Sequence, residues 1–355
     1  MDERKSFNTP VLYKGLLLVF VGVVFLVVNS DNFRKWVLIP SPMVPLKIGT
    51  AIWPGYEPLY LARELGYYDN SPIRLVEYTS ATQVIRAYRN NAIQLAALTM
   101  DEVLLLLENG LDTRVILVMD ISRGGDTILA KPEIKNLKDL RGRKVGVERT
   151  ALGAFFLSQA LNSVGLHPED VNIISSENNE HERRFLENQF DAVVTFEPVS
   201  SRLLAKGAHK LFDSTQIPGE IVDVLLIAKD TLDHFPEEVG ILLTGWFKAL
   251  DYLNTRPEEA APILARRLKV SPKEVLDSYK GLKLPGYKEN LKLMVGPEAP
   301  LKKSSTRLAN VMLKQKLLQR EVVLADFIDS SVLKKIEVAT KRVNGSSPLK
   351  DSVGQ

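Results

Sequence analysis

Residues 46–68 read LKIGTAIWPGYEPLYLARELGYY, and the punctuation of this stretch decides the fold class. Leu46 to Ile52 is a short apolar run suited to a strand. Pro54-Gly55 breaks it, and Pro58 to about Gly66 carries helical spacing that stops on glycine. The same rhythm then recurs. Ile73 to Glu77, Leu95 to Leu98 and Arg114 to Met119 read as strands, with helices over Thr82 to Asn90 and Asp101 to Glu108 between them. Asn109-Gly110 supplies a helix stop. Strands alternating with short helices predict βαβ units and a parallel sheet.

After Gly124-Gly125 the pattern starts again. Strands are expected at Thr127 to Lys131, Lys144 to Val147, Val171 to Ile174 and Ala192 to Val194. The intervening helices run over Leu152 to Val164, Glu182 to Asn188 and Pro198 to Lys206. Ile221 to Lys229 reads as a strand that returns to the first lobe, and from His234 onward the chain is mostly helical. The fold class expected is therefore α/β, two lobes with a helical C-terminal region, preceded by an N-terminal hydrophobic helix.

Composition narrows the possibilities further. The 355 residues are 45% hydrophobic and 25% charged, which excludes a disordered or polytopic membrane chain as a global description. The net charge of +3, from 46 Lys+Arg against 43 Asp+Glu, is too balanced to argue for a nucleic-acid partner. With no Cys, a disulfide scaffold and a Cys-type zinc site are excluded, as is a lipid-accepting Cys.

One segment departs sharply from these averages. From Gly15 to Val28 no residue is polar, and Arg4, Lys5 and Lys14 precede the run. A basic flank before an apolar core is the pattern of an export signal or a membrane anchor, and both readings remain open for residues 1–30. Either reading places the rest of the chain outside the cytoplasmic membrane, in the periplasm or an equivalent space. Retention of the segment would tether it to the inner membrane through residues 11–28. Pro40, Ser41, Pro42 and Pro45 mark residues 31–45 as a linker, and residues 344–355 read as a flexible tail.

In open α/β sheets ligands bind beyond the carboxyl ends of the strands, where loops enter helices. Those loops carry Trp53, Tyr56 and Glu57; Ser80; Thr99 and Asp101; and Asp120. In the second lobe they carry Glu148, Thr150 and Leu152, then Glu197, while Asp223 is the corresponding acid on the returning strand. Ser80, Thr99 and Thr150 are ordinary helix caps taken one at a time. Trp53 and Tyr56 about a Pro-Gly turn are not needed for capping, and they suit a ligand wall. Acids outnumber Arg123 and Arg149 at this edge. Aromatic faces beside carboxylates favour an amine, a quaternary ammonium or a heteroaromatic ring. No nucleophile–His pair, metal-ligand spacing or phosphate loop is visible, so neither catalysis nor a cofactor is expected.

These residues carry a resemblance. Ile48-Gly49-Thr50 through Trp53-Pro54-Gly55-Tyr56-Glu57-Pro58-Leu59-Tyr60-Leu61-Ala62 and on to Leu65-Gly66-Tyr67-Tyr68 resembles the opening of nitrate/sulfonate/taurine-type solute-binding proteins. That group includes the binding proteins for thiamine pyrimidine precursors. Leu140-Arg141-Gly142-Arg143-Lys144-Val145-Gly146-Val147 and Asp191-Ala192-Val193-Val194 with Glu197-Pro198 resemble its second-lobe signatures. The resemblance implies a type II-like periplasmic-binding-protein fold whose lobes close on a small-molecule ligand, with crossovers near Asp120–Thr127 and Ile217–Val224. It places lobe 1 at residues 46–122 and 223–343 and lobe 2 at 123–222. It also implies an ABC permease and its ATPase as partners. Related fungal pyrimidine synthases use a Cys-rich iron motif that a chain without Cys lacks. Two alternatives stand beside a receptor for a nitrogenous solute: a membrane-tethered ligand sensor, and a sulfonate, taurine or nitrate receptor.

Overall fold

The computed structural model describes residues 45–336 apart from Asn70 and Arg149. The expected leader or anchor, the linker before residue 45 and the polar tail lie outside the described residues, as does Arg149. Among the described residues no helix is long and apolar enough to cross a membrane.

The chain lays down β1 (Leu46–Thr50), β2 (Ile73–Glu77), β3 (Leu95–Thr99) and β4 (Thr113–Ser122). It then builds β5 (Asp126–Ala130), β6 (Lys144–Val147), β7 (Asn172–Ser175), β8 (Ala192–Phe196) and β9 (His209–Asp213). It returns as β10 (Val222–Ala228) and β11 (Leu282–Lys283). One sheet has the order β11-β4-β10-β3-β1-β2 and the other β7-β6-β8-β5-β9. Together they form the two-sheet α/β architecture of periplasmic binding proteins.

The expectation of a parallel sheet needs correcting, because both sheets are mixed. β1 pairs in parallel with β2 and β3, and β6 with β7 and β8. β10, however, runs antiparallel to β3 and β4, and β5 runs antiparallel to β8 and β9. The reason is the crossover: β4 carries the chain out of the first sheet and β10 carries it back, so neighbours in that sheet must point opposite ways. Strand apolarity does not record direction. β3 and β5 are buried at every position, as strands covered on both faces are.

Helices α1 (Glu57–Glu64), α2 (Ala81–Arg89) and α3 (Met100–Glu108) follow the first three strands. α4 (Ala151–Asn162), α5 (Asn178–Leu186) and α6 (Val199–Ala205) follow strands of the second sheet. α7 (Lys229–His234), α8 (Pro236–Thr255) and α9 (Pro257–Leu268) open the C-terminal helical region. Trp246 of α8, with no exposed surface, is among the largest side chains of the core. α5 begins at Asn178, four residues before the expected Glu182; its first turn is polar and Glu177 at the cap makes no side-chain bond, so neither an apolar period nor a capping residue marks the start in the sequence.

Two crossovers and a third segment meet at the waist. Ser122 and Ser214 share a hydroxyl bond of 2.7 Å, and the Gly124 amide donates to Ser214 at 2.6 Å. The Gly281 carbonyl accepts from the Arg123 and Gly125 amides at 2.8 and 3.1 Å. A Cβ on Gly281 would lie 2.8 Å from the Gly125 nitrogen, so the backbones touch only because no side chain stands between them.

Candidate functional site

Between the two halves lies a cavity of about 330 Å³. From the first half it is lined by Trp53, Tyr56, Ser80, Thr99 and Asp223, and from the second by Glu148, Thr150 and Leu152. Those are eight of the twelve residues expected at the site. Seven of them lie at a strand's carboxyl end or at the helix start after it, whereas Asp223 lies at the amino end of β10, which runs antiparallel and so sets it opposite Thr99 at the end of β3.

Trp53 is held from two sides. Its Nε1 donates to Asp120 Oδ2 at 2.9 Å. Its ring meets Phe196 of the other half edge to face, centroids 5.4 Å apart at 87°, a favoured aromatic geometry. The Tyr56 hydroxyl donates to Asp223 Oδ1. Ser80 and Thr150 cap α2 and α4 by accepting from the Gln83 and Gly153 amides, so they serve as caps while also lining the cavity. The Thr99 amide donates to Glu102 Oε2 at 3.1 Å.

The remaining four expected residues do not line the cavity. Glu57 is completely buried, 3.1 Å from Arg267, which also reaches Glu77 at 2.6 Å. Asp101 is buried, but its neighbour Glu102 is the one that faces the cavity, since successive helix positions point about 100° apart. Asp120 stands behind Trp53. Glu197 accepts from the Ser201 hydroxyl at 2.9 Å, closing the first turn of α6.

Sequence reasoning missed several lining residues: Glu102, Asp126, Asn178, Asn179, Arg202, Leu268 and Lys269. Asn178 and Asn179 were hidden because the helix was expected to start only at Glu182, whereas it starts at Asn178. Leu268 and Lys269 lie far along the chain, at the end of α9, and no local signal marks them. Lys269 adopts a left-handed backbone (φ +56°), which ends the helix there.

Burial governs the electrostatics. It pushes the Glu57 carboxyl up to about 8, although Arg267 opposes this. Burial also raises Glu148 to about 7, with Glu177 adding to it and the Ala81 amide opposing it. Asp126 rises to about 6 for the same reason, opposed by Ser122. Each of these groups binds protons more tightly folded than unfolded. Folding stability therefore falls as pH rises from the ordinary carboxylate range through these values. Carboxylates held low, such as Asp277 at about 2 beside Lys273 and Lys280, titrate below that window. The melting temperature is expected to climb as pH is lowered from about 8 to about 5. A flat or opposite profile by calorimetry would contradict this electrostatic reading.

Among the described residues no group of His, Asp and Glu is arranged to hold a metal ion. The cavity is lined by the aromatic rings of Trp53, Tyr56 and Phe196 together with the carboxyl groups of Glu102, Asp126, Glu148 and Asp223.

Comparison with known proteins agrees with this architecture. The chain belongs to the NMT1/THI5-like family, whose model matches residues 53–260. The alkanesulfonate-binding protein SsuA from Xanthomonas axonopodis pv. citri, bound to MOPS, has a similar structure. Its TM-score is 0.70 at 18% identity, covering 81% of this chain and 99% of that one. A Brucella abortus chain named as a binding protein is 27% identical over 149 residues, 41% of this chain and 47% of that one. The chain thus spans about half the length of the Brucella relatives it matches. A Haemophilus influenzae chain named for thiamine biosynthesis is 22% identical over 254 residues, 70% of this chain and 78% of that one. At such identities the likeness to solved structures speaks for the fold, and the ligand must be argued from the residues.

Proposed function

We propose that the chain is an exported solute-binding receptor. It captures a small nitrogen-containing molecule (an amine, a betaine or a pyrimidine-like ring) between its two halves and delivers it to an ABC importer. The observation that carries this reading is the cavity lining. Glu102, Asp126, Glu148 and Asp223 stand beside Trp53, Tyr56 and Phe196, a combination that favours cations and N–H donors over oxyanions. Arg202, a cationic group at the wall, is already paired with Glu182 at 2.5 Å and is poorly placed to serve an anion. The basic-then-apolar N-terminal sequence supports the exported setting, and the family supports the role of receptor.

The test is a thermal-shift screen and then titration calorimetry against amines, betaines, pyrimidines, taurine, alkanesulfonates and nitrate. Nitrogenous cations or heteroaromatic amines are expected to stabilise the protein, by about 2.7 kcal/mol at a hundredfold excess over Kd. Stabilisation by nitrate or alkanesulfonates alone would overturn the ligand reading.

A further inference from the structure

At the edge of the cavity and directly behind Trp53 lies an arrangement that a simple ligand wall does not require. Asp120 on β4 and Asp223 on β10 are direct partners in antiparallel register, and both are buried. Trp53 donates to one and Tyr56 to the other. Asp120 Oδ1 and the neighbouring Asp126 Oδ2 are buried with no hydrogen-bond partner, and Asp126 and Asp223 line the cavity.

Ionised carboxylates only accept hydrogen bonds. Two of them side by side away from water are stable only with a proton between them or a cation beside them. The groups that bear on this pair are Tyr56, Glu102 of α3, Asp126 of β5 and Tyr279; Asp101 bears on Asp126 in turn. Each is acidic or neutral. Arg267, the cation near Tyr279, is tied to Glu57 and Glu77. Burial raises both carboxyls of the pair. The Asp120 charge raises Asp223 further, and a hydrogen bond between the two draws Asp120 back down.

Resting on the reading of the cavity as a site for a nitrogenous solute, we propose that Asp120 and Asp223 share one proton before capture and exchange it for the cationic nitrogen of the ligand. Asp223 meets the ligand, and Asp120 is a positioning residue that orients the Trp53 indole. One cation enters, one proton leaves to bulk solvent, and no covalent bond forms or breaks. Capture is therefore linked to pH through one proton.

The experiment uses the full chain with benzylamine, whose ring suits the aromatic wall and whose ammonium suits the pair. Benzyl alcohol is the uncharged counterpart. By titration calorimetry, benzylamine affinity is expected to rise about tenfold per pH unit on the acid side of the proton's release, then level off. Benzyl alcohol should show no such slope, and the slope should vanish in Asp223→Asn and Asp120→Asn. With no ligand added, the emission of Trp53 (Trp53→Phe as the blank) should titrate in the native chain and not in Asp120→Asn.

Tyr56→Phe keeps both acids while removing a hydrogen bond that lowers Asp223, so its midpoint should move to more alkaline pH even if an Asn variant fails to fold. Benzylamine affinity independent of pH, flat Trp53 emission, or an unmoved midpoint in Tyr56→Phe overturns the proposal. Failure of the nitrogenous-solute reading looks different: alkanesulfonates bind, amines do not, and Trp53 emission still titrates. That result overturns the cation exchange while leaving the shared proton visible.

Discussion

Arg267→Ala is expected to destabilise the fold by about 3–5 kcal/mol in alkaline buffer and by much less near pH 5. Arg267 is 15% exposed, and its guanidinium carbon sits 3.4 Å from the centre of the Tyr60 ring. It also neutralises Glu57, which has no exposed surface. Removing the cation leaves that carboxyl buried without a partner. The carboxyl can escape by taking up a proton, and it already sits at about 8 with Arg267 beside it; without Arg267 it rises further. The loss should therefore shrink as pH falls. Glu57→Gln in the same chain removes the stranded charge, so the double variant should be more stable than Arg267→Ala alone in alkaline urea denaturation. Equal losses at both pH values, or no relief from Glu57→Gln, would mean that Arg267 acts through packing on Tyr60 instead. Because Leu268 and Lys269 come directly after it and line the cavity, ligand affinity should fall along with stability.

Gly55→Ala is expected to lower stability by about 1–3 kcal/mol, as overpacking does, and to weaken ligand capture at least about tenfold. A Cβ on Gly55 would lie 1.8 Å from Asp120 Oδ2 and 2.5 Å from Trp53 Nε1. Both groups are buried, so neither can swing into solvent, and the indole–carboxyl bond has to break. Gly286→Ala is the control: a Cβ there meets nothing within 4 Å, and a change within about 0.5 kcal/mol is expected. If Gly55→Ala behaves like Gly286→Ala in calorimetric titration of the ligand identified by screening, the Trp53–Asp120 contact does not hold the wall in place.

The sequence reveals most where chemistry is local. Ile73–Glu77 and Lys144–Val147 are strands to the residue, since each is a short run bounded by turn formers. His209–Asp213, HKLFD, escaped because its charges resemble a loop, yet it pairs with β5 at the sheet edge. At the site, Trp53, Tyr56 and the capping hydroxyls were legible because turn and cap positions face the strand ends by construction. Asp101 and Glu102 were separable only by knowing the rotation of α3 about its axis. Glu57 looked like a ligand-facing acid because its cation, Arg267, comes from a remote helix. Strand direction in β10 left no trace in composition, although it sets Asp223 opposite Asp120.

The interleaved connectivity also sets an order of assembly. All five strands of the second sheet lie within Asp126–Asp213, whereas the first sheet draws on residues from Leu46 to Lys283. During synthesis the second half is complete as a sequence while the first still lacks β10 between β3 and β4. Asp223 arrives with that strand, and Leu268 and Lys269 arrive later still. The cavity lining is therefore completed well after the second sheet, and a nascent chain carries Trp53, Tyr56 and Phe196 long before Leu268 and Lys269 close the set.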